Sequence, residues 1–204
     1  MILLLLWILY CVLHSVLATS SVKLFLGKVL GKLSRYYRLF YSLFATVTLI
    51  FVLYFQYSFI SPVLINSIFI KYTALVALAM PGLIIMIISI IKYFKLLSGV
   101  RSLYQARPAS GLKLNGIHNY VRHPLYLGTL LFTWGLFCIF PMLHNLIAVG
   151  VITLYVLIGI TFEEKKLINE FGSEYADYMS QVPVLIPRLK GRTSTKKGQP
   201  FGHP

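Results

Sequence analysis

Apolar runs alternate with short basic segments along this chain. Four runs contain no charged side chain, over residues 1–22, 39–70, 72–91 and 125–162. A helix needs about 20 apolar residues to cross the ~30 Å hydrocarbon core of a bilayer. The pattern therefore predicts an all-α, polytopic membrane protein with about five transmembrane helices.

Two of these runs are too long for one crossing. Residues 125–162 would extend about 57 Å as a straight helix, so Pro141, His144 and Asn145 are predicted to mark a reversal. The Ser61-Pro62 step is predicted to end the helix before it. The predicted spans are about 2–19, 39–60, 72–94, 125–141 and 145–162.

The C-terminal part has a different pattern. Apolar and aromatic side chains recur at three- and four-residue steps over 163–180, with Glu170, Glu174 and Asp177 opposite them. This periodicity predicts an amphipathic helix at the membrane interface. Residues 1–189 are predicted to form one domain, and the polar, Gly- and Pro-containing segment 190–204 a disordered tail.

The basic residues predict the orientation. Eighteen of the nineteen follow the first, third or fifth span, and only Lys71 falls on the other side. By the positive-inside rule the N-terminus is outside and the C-terminus cytoplasmic. The net charge of +14 is then explained by topogenic signals and anionic lipid headgroups, without nucleic acid. Because Lys23 is the first charged residue, the first run lacks the basic start of a cleavable signal peptide and is expected to be retained.

The positions of the cysteines and glycines argue against a disulfide-bonded framework and against a Rossmann-type nucleotide-binding domain. Cys11 and Cys138 both lie in apolar runs, which is not typical of a disulfide framework. The fourteen glycines contain no G-x-G pair, so a Rossmann-type nucleotide loop is not expected. The composition, 58% hydrophobic and 12% charged, is also far from that of a soluble domain, which carries about 25% charged residues. No metal site is predicted.

Two short clusters carry candidate chemistry. Glu163 and Glu164 directly follow the last apolar run, and ionisable groups at that depth are functional candidates. Adjacent helical positions diverge by about 100°, so the two glutamates are not expected to face one spot. We expect one carboxylate to meet a ligand and the other a basic neighbour. The alternative is a helix end meeting water, with Glu163 paired to Lys166.

The second cluster is basic. Arg122 and His123 precede Pro124, a residue suited to the first turn of a helix, and a helix N-terminus favours anionic groups. The alternative for Arg122 is an ordinary anchor beside a span. The hairpin predicted above places this cluster beside the two glutamates and predicts a pocket for a polar, zwitterionic ligand.

His14 is a third candidate. It lies inside the first span with Trp7 and Tyr10 on its face, and intramembrane histidines are functional candidates. The alternative is a hydrogen bond between helices.

These clusters resemble a known family. Arg122-His123-Pro124-Leu125-Tyr126-Leu127-Gly128, Glu163-Glu164 and then FGSEYADYMSQVPVLIP are similar to the isoprenylcysteine carboxyl methyltransferase-like family. That family includes phospholipid methyltransferases and bacterial thiol methyltransferases. The similarity covers about residues 105–188. HSVLA at 14–18 and YRLFY at 37–41 resemble the small-thiol and nitrite-reduction-associated membrane relatives.

The resemblance implies a methyltransferase of the bacterial inner membrane that uses S-adenosylmethionine. The acceptor would be lipophilic or small, a thiol, carboxylate or lipid amine, and the other partners would be membrane lipids. The implied catalytic residues are Arg122, His123 and Glu164. The implied cofactor contacts are Ser110, Gly111, Leu112, Lys113, His118, His123, Pro124, Leu125, Tyr126 and Glu163.

The chain departs from the family at two positions. His118 stands where many relatives have tyrosine, and Gly159 where the prenyl-cysteine enzymes have an arginine that helps with substrate. The second departure argues against a prenyl-cysteine acceptor. For a thiol acceptor, His123 or His118 is expected to assist deprotonation. Three alternatives stay open: an NADPH-dependent membrane reductase, a non-enzymatic accessory or transport protein, and a relative that binds cofactor without turnover.

Overall fold

The computed structural model describes residues 1–97 and 116–188. Helices dominate these ranges, as predicted, and the all-α class is confirmed. The α-helices are α1 (Ile2–Ala18), α2 (Ser20–Leu30), α3 (Tyr37–Tyr57), α4 (Ile68–Ala74), α5 (Met80–Leu97), α6 (Pro124–Ile139), α7 (Leu143–Phe171) and α8 (Ser173–Gln181). A π-helical segment, Leu75–Ala79, joins α4 to α5.

Three helical segments of the described chain are long and apolar enough to cross a membrane. They are Leu39–Tyr57, Ile68–Ile91 and Leu143–Phe171. Helices α1 and α6 are apolar but shorter, with 17 and 16 residues. Large apolar side chains such as Leu5, Leu43 and Ile84 are exposed along these helices. Exposed apolar surface of this extent needs lipid to cover it, so the chain is an integral membrane protein.

Helix α6 packs backbone against backbone with α5 and with the π-helical segment that precedes it. A Cβ atom added to Gly135 would lie 2.6 Å from the Ala79 nitrogen, and one added to Gly128 would lie 2.9 Å from the Gly82 carbonyl oxygen. Small residues at a helix interface let two backbones approach closely without a driving force from water. This contact fixes the start of α6, which carries the basic cluster.

Helix α1 packs against α3 and α7. Trp7, Val52 and Ala148 form a buried apolar cluster between them. A chain of polar contacts lies beside it: the Trp7 indole N–H donates to Gln56 Oε1 at 2.8 Å, and Gln56 Nε2 donates to Asn145 Oδ1 at 2.8 Å. We call Trp7, Gln56 and Asn145 the amide network.

The turn between α6 and α7 spans residues 140–142, two residues earlier than predicted. Pro141, His144 and Asn145 were predicted to mark the reversal. Pro141 lies in the turn, as predicted, whereas His144 and Asn145 lie in the first turn of α7. The Asn145 side-chain amide donates to the Phe140 carbonyl oxygen at 2.7 Å, so Asn145 satisfies the end of α6 from within the next helix. Likewise, α3 ends at Tyr57 rather than at residue 60, and Pro62 accepts a hydrogen bond from the Leu143 amide at 3.1 Å.

The predicted boundary between the fifth span and the interfacial helix is also wrong. Helix α7 continues through Glu163 and Glu164 to Phe171, and α8 begins only at Ser173. The break occurs at Gly172, whose φ of +55° is a conformation that glycine adopts without steric cost. No proline or glycine interrupts α7 between Glu163 and Phe171, so the helix has no reason to stop there. The predicted tail, 190–204, lies outside the described residues.

Candidate functional site

A short extended pairing holds the basic cluster in place. The Arg122 amide donates to the Pro183 carbonyl oxygen at 2.9 Å, and the His123 amide donates to that of Val184 at 3.2 Å. The Arg188 amide returns a hydrogen bond to the Tyr120 carbonyl at 3.2 Å. The proline-containing segment after α8 therefore fixes the backbone just before α6 begins.

Helix α8 supports this pairing through its aromatic face. Tyr175, Tyr178 and Val182 are almost fully buried, and the Tyr178 hydroxyl donates to the His118 carbonyl oxygen at 2.8 Å. Burial raises the pKa of Tyr175 to about 12; the negative charge of Glu164 adds to this rise and Arg122 opposes it. The ring of Tyr175 thus lies near both members of the ion pair described next.

Glu164 is bound by two basic side chains. Its Oε1 atom lies 3.0 Å from Arg122 Nη2 and 3.2 Å from His123 Nε2. Arg122 also donates from Nη1 to the Met179 carbonyl oxygen at 3.2 Å. The side chains of Arg122 and Glu164 are only 8% and 15% exposed. Glu164 is therefore a buried partner of the basic cluster.

Glu163 has a different environment. Its Oε2 atom lies 3.7 Å from His123 Nδ1, and its side chain is 44% exposed. The Tyr126 hydroxyl donates a hydrogen bond to it. The expectation that adjacent glutamates cannot face one spot is wrong, because the His123 ring lies between them and offers each a different nitrogen. The exposed carboxylate of the pair is Glu163.

A second cluster of polar side chains surrounds His14. The Tyr41 hydroxyl is 3.0 Å from each ring nitrogen of His14, and the Ser15 hydroxyl donates to Tyr155 Oη at 3.2 Å. The rings of His14 and Tyr155 are 6.2 Å apart. Sequence reasoning named His14 but missed Tyr41 and Tyr155. A signal for Tyr155 was present, since Tyr155, Gly159 and Glu163 recur every four residues on α7.

Comparison with known proteins decides the family. Residues 2–191, most of the chain, match the family described as NnrU protein. The chain belongs to the NnrU family. The resemblance to membrane methyltransferases read from the sequence is thereby confirmed. No solved structure matches.

Individual relatives of this NnrU-family chain carry methyltransferase names. It is 43% identical over 94 residues to methanethiol S-methyltransferase 2 of Bradyrhizobium diazoefficiens, covering 43% of the chain and 34% of the relative. It is 37% identical over 113 residues to methanethiol S-methyltransferase of Crocosphaera subtropica, covering 52% and 43%. It is 34% identical over 105 residues to methanethiol S-methyltransferase of Mycobacterium tuberculosis, covering 48% of the chain and 41% of the relative. The chain thus spans less than half the length of each of these relatives.

The structure brings together most of the site residues predicted for this NnrU-family chain. Pairwise interactions connect Arg122, His123, Tyr126, Glu163 and Glu164 into one group. Around them, Pro124 and Leu125 form the first turn of α6, and His118 Nδ1 lies 3.0 Å from the Arg122 carbonyl oxygen. The predicted stretch Ser110, Gly111, Leu112 and Lys113 lies outside the described residues. Among the residues that are described, no group of three His, Cys, Asp or Glu side chains is arranged to hold a metal ion.

Proposed function

We propose that this chain is an S-adenosylmethionine-dependent membrane methyltransferase acting on a small, lipophilic thiol. The observation that carries the proposal is the half-exposed carboxylate of Glu163, held by His123 and Tyr126 beside a buried Arg122–Glu164 pair. The names of the relatives support it, since they are methanethiol S-methyltransferases.

The residues present fit a zwitterionic methyl donor. Glu163 is an exposed anion suited to an ammonium group or to ribose hydroxyls. The first-turn amides of α6, at Leu125 and Tyr126, have no carbonyl partner within the helix and favour a carboxylate. Arg122 Nε is buried and has no hydrogen-bond partner among the described residues, so its N–H is a further hydrogen-bond donor for that carboxylate. His118 and the Ser110–Lys113 stretch are proposed as additional contacts from the family resemblance.

The bound donor supplies an activated methyl group on a sulfonium, so the protein's task is alignment and exclusion of water. Glu164 and Arg122 neutralise each other in a buried pair and fix the His123 ring. We therefore assign Glu164 a positioning role, and Arg122 the same role together with the contact from its Nε to the methyl donor. His123, which reaches both glutamates, and Glu163 are assigned to direct contact with the donor.

The proposed location follows from the topology. The cytoplasmic ends predicted for α6 and α7 carry the site, and the donor is a cytosolic metabolite. A lipophilic acceptor reaches the same depth through the bilayer. We propose an inner-membrane protein with its N-terminus outside, its C-terminus cytoplasmic, and membrane lipids as its other neighbours.

The test is methyl transfer by the purified protein in lipid nanodiscs. Methyl-labelled S-adenosylmethionine is offered with methanethiol, ethanethiol, a short-chain carboxylate or a lipid amine. Labelled thioether is expected with the thiols, and Glu163→Gln is expected to abolish it while Glu174→Gln is not. Transfer only to the carboxylate or amine would overturn the acceptor assignment. Binding without transfer would indicate a non-catalytic relative, and absence of both binding and transfer would favour an accessory protein or a reductase.

A further inference from the structure

His14 sits in a group of half-buried polar side chains within the apolar part of the bundle. Tyr41 from α3 and Tyr155 from α7 surround it, and the ring of Tyr10 stacks on it with centroids 5.9 Å apart. Polar groups at membrane depth are costly unless they are paired or functional. We call His14, Tyr41, Tyr155 and Tyr126 the His14 cluster.

Tyr126 connects this cluster to the donor site. Its hydroxyl donates to Glu163 and interacts electrostatically with Tyr155. Tyr155, Gly159 and Glu163 are spaced by four residues and therefore lie along one face of α7. A Cβ atom on Gly159 would have the Tyr126 hydroxyl, at 3.8 Å, as its neighbour. On this face of α7, Gly159 contributes no side chain between Tyr155 and Glu163, and the Tyr126 hydroxyl is the neighbouring group.

The Tyr41 hydroxyl can leave the lone pair of the His14 ring available. Tyr41 Oη lies 3.0 Å from Nδ1, 3.0 Å from Nε2 and 3.2 Å from the His14 carbonyl oxygen. When its proton is donated to the carbonyl oxygen, its lone pairs accept from the ring N–H. A neutral imidazole has one N–H and one lone pair on different nitrogens. The nitrogen that bears the lone pair then receives no hydrogen bond from the described residues, and it is the nitrogen that can take a proton from a ligand.

We infer that the His14 cluster binds the acceptor thiol and that His14 takes its proton; this rests on the proposed function. A small thiol has one weakly polar hydrogen and an alkyl group, which suit a lone histidine nitrogen and the side-chain-free surface at Gly159. The titratable groups that face His14 are Tyr10 on its own helix, Tyr41 on α3 and Tyr155 on α7. All three are phenols and are uncharged at neutral pH.

The thiol S–H bond breaks, its proton moves to the ring nitrogen of His14 that bears the lone pair, and its electron pair stays on sulfur. The thiolate sulfur then forms a bond to the methyl carbon while the methyl–sulfonium bond breaks, leaving that electron pair on the donor's sulfur. The products are a thioether, S-adenosylhomocysteine and protonated His14, which releases its proton to water before the next turnover.

His14→Gln tests the proton transfer, and His144→Gln is the matched control. Glutamine retains a hydrogen-bonding partner for Tyr41 but cannot accept a proton at neutral pH. His144 is a buried histidine of α7, and it contacts Tyr57 rather than the site. His14→Gln is expected to lower kcat with ethanethiol about 100-fold at pH 7, with S-adenosylmethionine binding unchanged. His144→Gln is expected to stay within twofold of the parent.

The pH profile separates a proton acceptor from a structural residue. In His14→Gln the rate is expected to rise tenfold per pH unit until the thiol itself ionises, so that activity recovers at high pH. In the parent the rate is expected to level off at a lower pH. A uniform loss at all pH values, or an unchanged rate, overturns the role of His14.

Gly159→Leu tests the acceptor position without relying on turnover. A short alkyl diazirine is expected to photolabel the α7 peptide containing Gly159 in the donor-free protein, and Gly159→Leu is expected to suppress that labelling. Labelling that is unchanged in Gly159→Leu overturns the acceptor site. If the parent methylates thiols and binds donor while both tests fail, only this inference is lost. If the parent neither methylates thiols nor binds S-adenosylmethionine, the proposed function itself is wrong.

Discussion

Two polar groups hold this bundle together, and they differ in charge and in exposure. The amide network links α1, α3 and α7 through uncharged side chains, and its members Trp7, Gln56 and Asn145 are less than 10% exposed. The proposed donor site links α6, α7 and the segment after α8 through ionised groups, and Glu163 there is 44% exposed. The side chains of the amide network are all buried, whereas the proposed donor site leaves the Glu163 carboxylate exposed to solvent.

The difference separates packing from chemistry. Neutral amides that satisfy one another inside a bundle stabilise helix contacts modestly, by about 0.6 to 1.7 kcal/mol each in membrane proteins. An ion pair taken out of water carries a large desolvation cost that its own attraction only roughly offsets. Stability alone therefore does not explain why this chain keeps Arg122 and Glu164 buried beside a third, exposed charge. The proposed binding of a methyl donor would account for it.

The largest stability effect is expected at Arg122. Arg122→Ala leaves Glu164 buried without its closest partner, at 3.0 Å in the intact site, and loss of one member of a buried pair costs about 3–5 kcal/mol. Denaturation of the purified protein in detergent measures this. Arg188→Ala, whose guanidinium donates to Gln181 at an exposed position, is the control and should cost less than about 1 kcal/mol. Equal losses of stability in the two variants would mean that the buried Arg122–Glu164 pair stabilises the protein no more than the exposed hydrogen bond of Arg188 does.

A smaller effect is expected in the amide network. Gln56→Leu removes the link between Trp7 and Asn145 and should destabilise the protein by about 1–2 kcal/mol. Donor affinity and methyl-transfer rate should not change, because the network does not reach Glu163. Activity lost in proportion to stability would be expected if the two groups were one coupled unit, and would contradict their separation.

The smallest effect is expected at Tyr178. Tyr178→Phe removes one hydrogen bond, to the His118 carbonyl oxygen at 2.8 Å, and should cost about 1 kcal/mol. It should also weaken donor binding a few-fold, since His118 contacts the Arg122 backbone. Phe171→Leu, a change in the apolar surroundings of the same ring, is the comparison. If it weakens donor binding as much as Tyr178→Phe does, general packing rather than the hydrogen bond is responsible.

The sequence was sufficient to predict the juxtaposition of the charges. Two apolar helices joined by a turn of about three residues must run antiparallel side by side, so Arg122 and His123 had to approach Glu163 and Glu164. The all-α membrane architecture followed from the length of the uncharged runs for the same reason.

Other features depend on information that a pattern does not carry. The end of α7 is set by the backbone conformation of Gly172, and charge patterning placed the boundary nine residues too early. The contact between Tyr41 and His14 depends on how α1 and α3 are rotated about their own axes, which neither apolar helix reveals through its periodicity. The sharing of His123 between two glutamates depends on the size and placement of one ring.

Binding of S-adenosylmethionine to Glu163→Gln and Glu164→Gln in nanodiscs is the most direct test of the central claim. Glu163→Gln should weaken affinity at least tenfold with unchanged thermal stability, because it neutralises an exposed carboxylate and keeps its shape. Glu164→Gln should lower thermal stability as well, because it removes the charge that Arg122 and His123 share. Unchanged donor affinity in Glu163→Gln would contradict the assignment of this site.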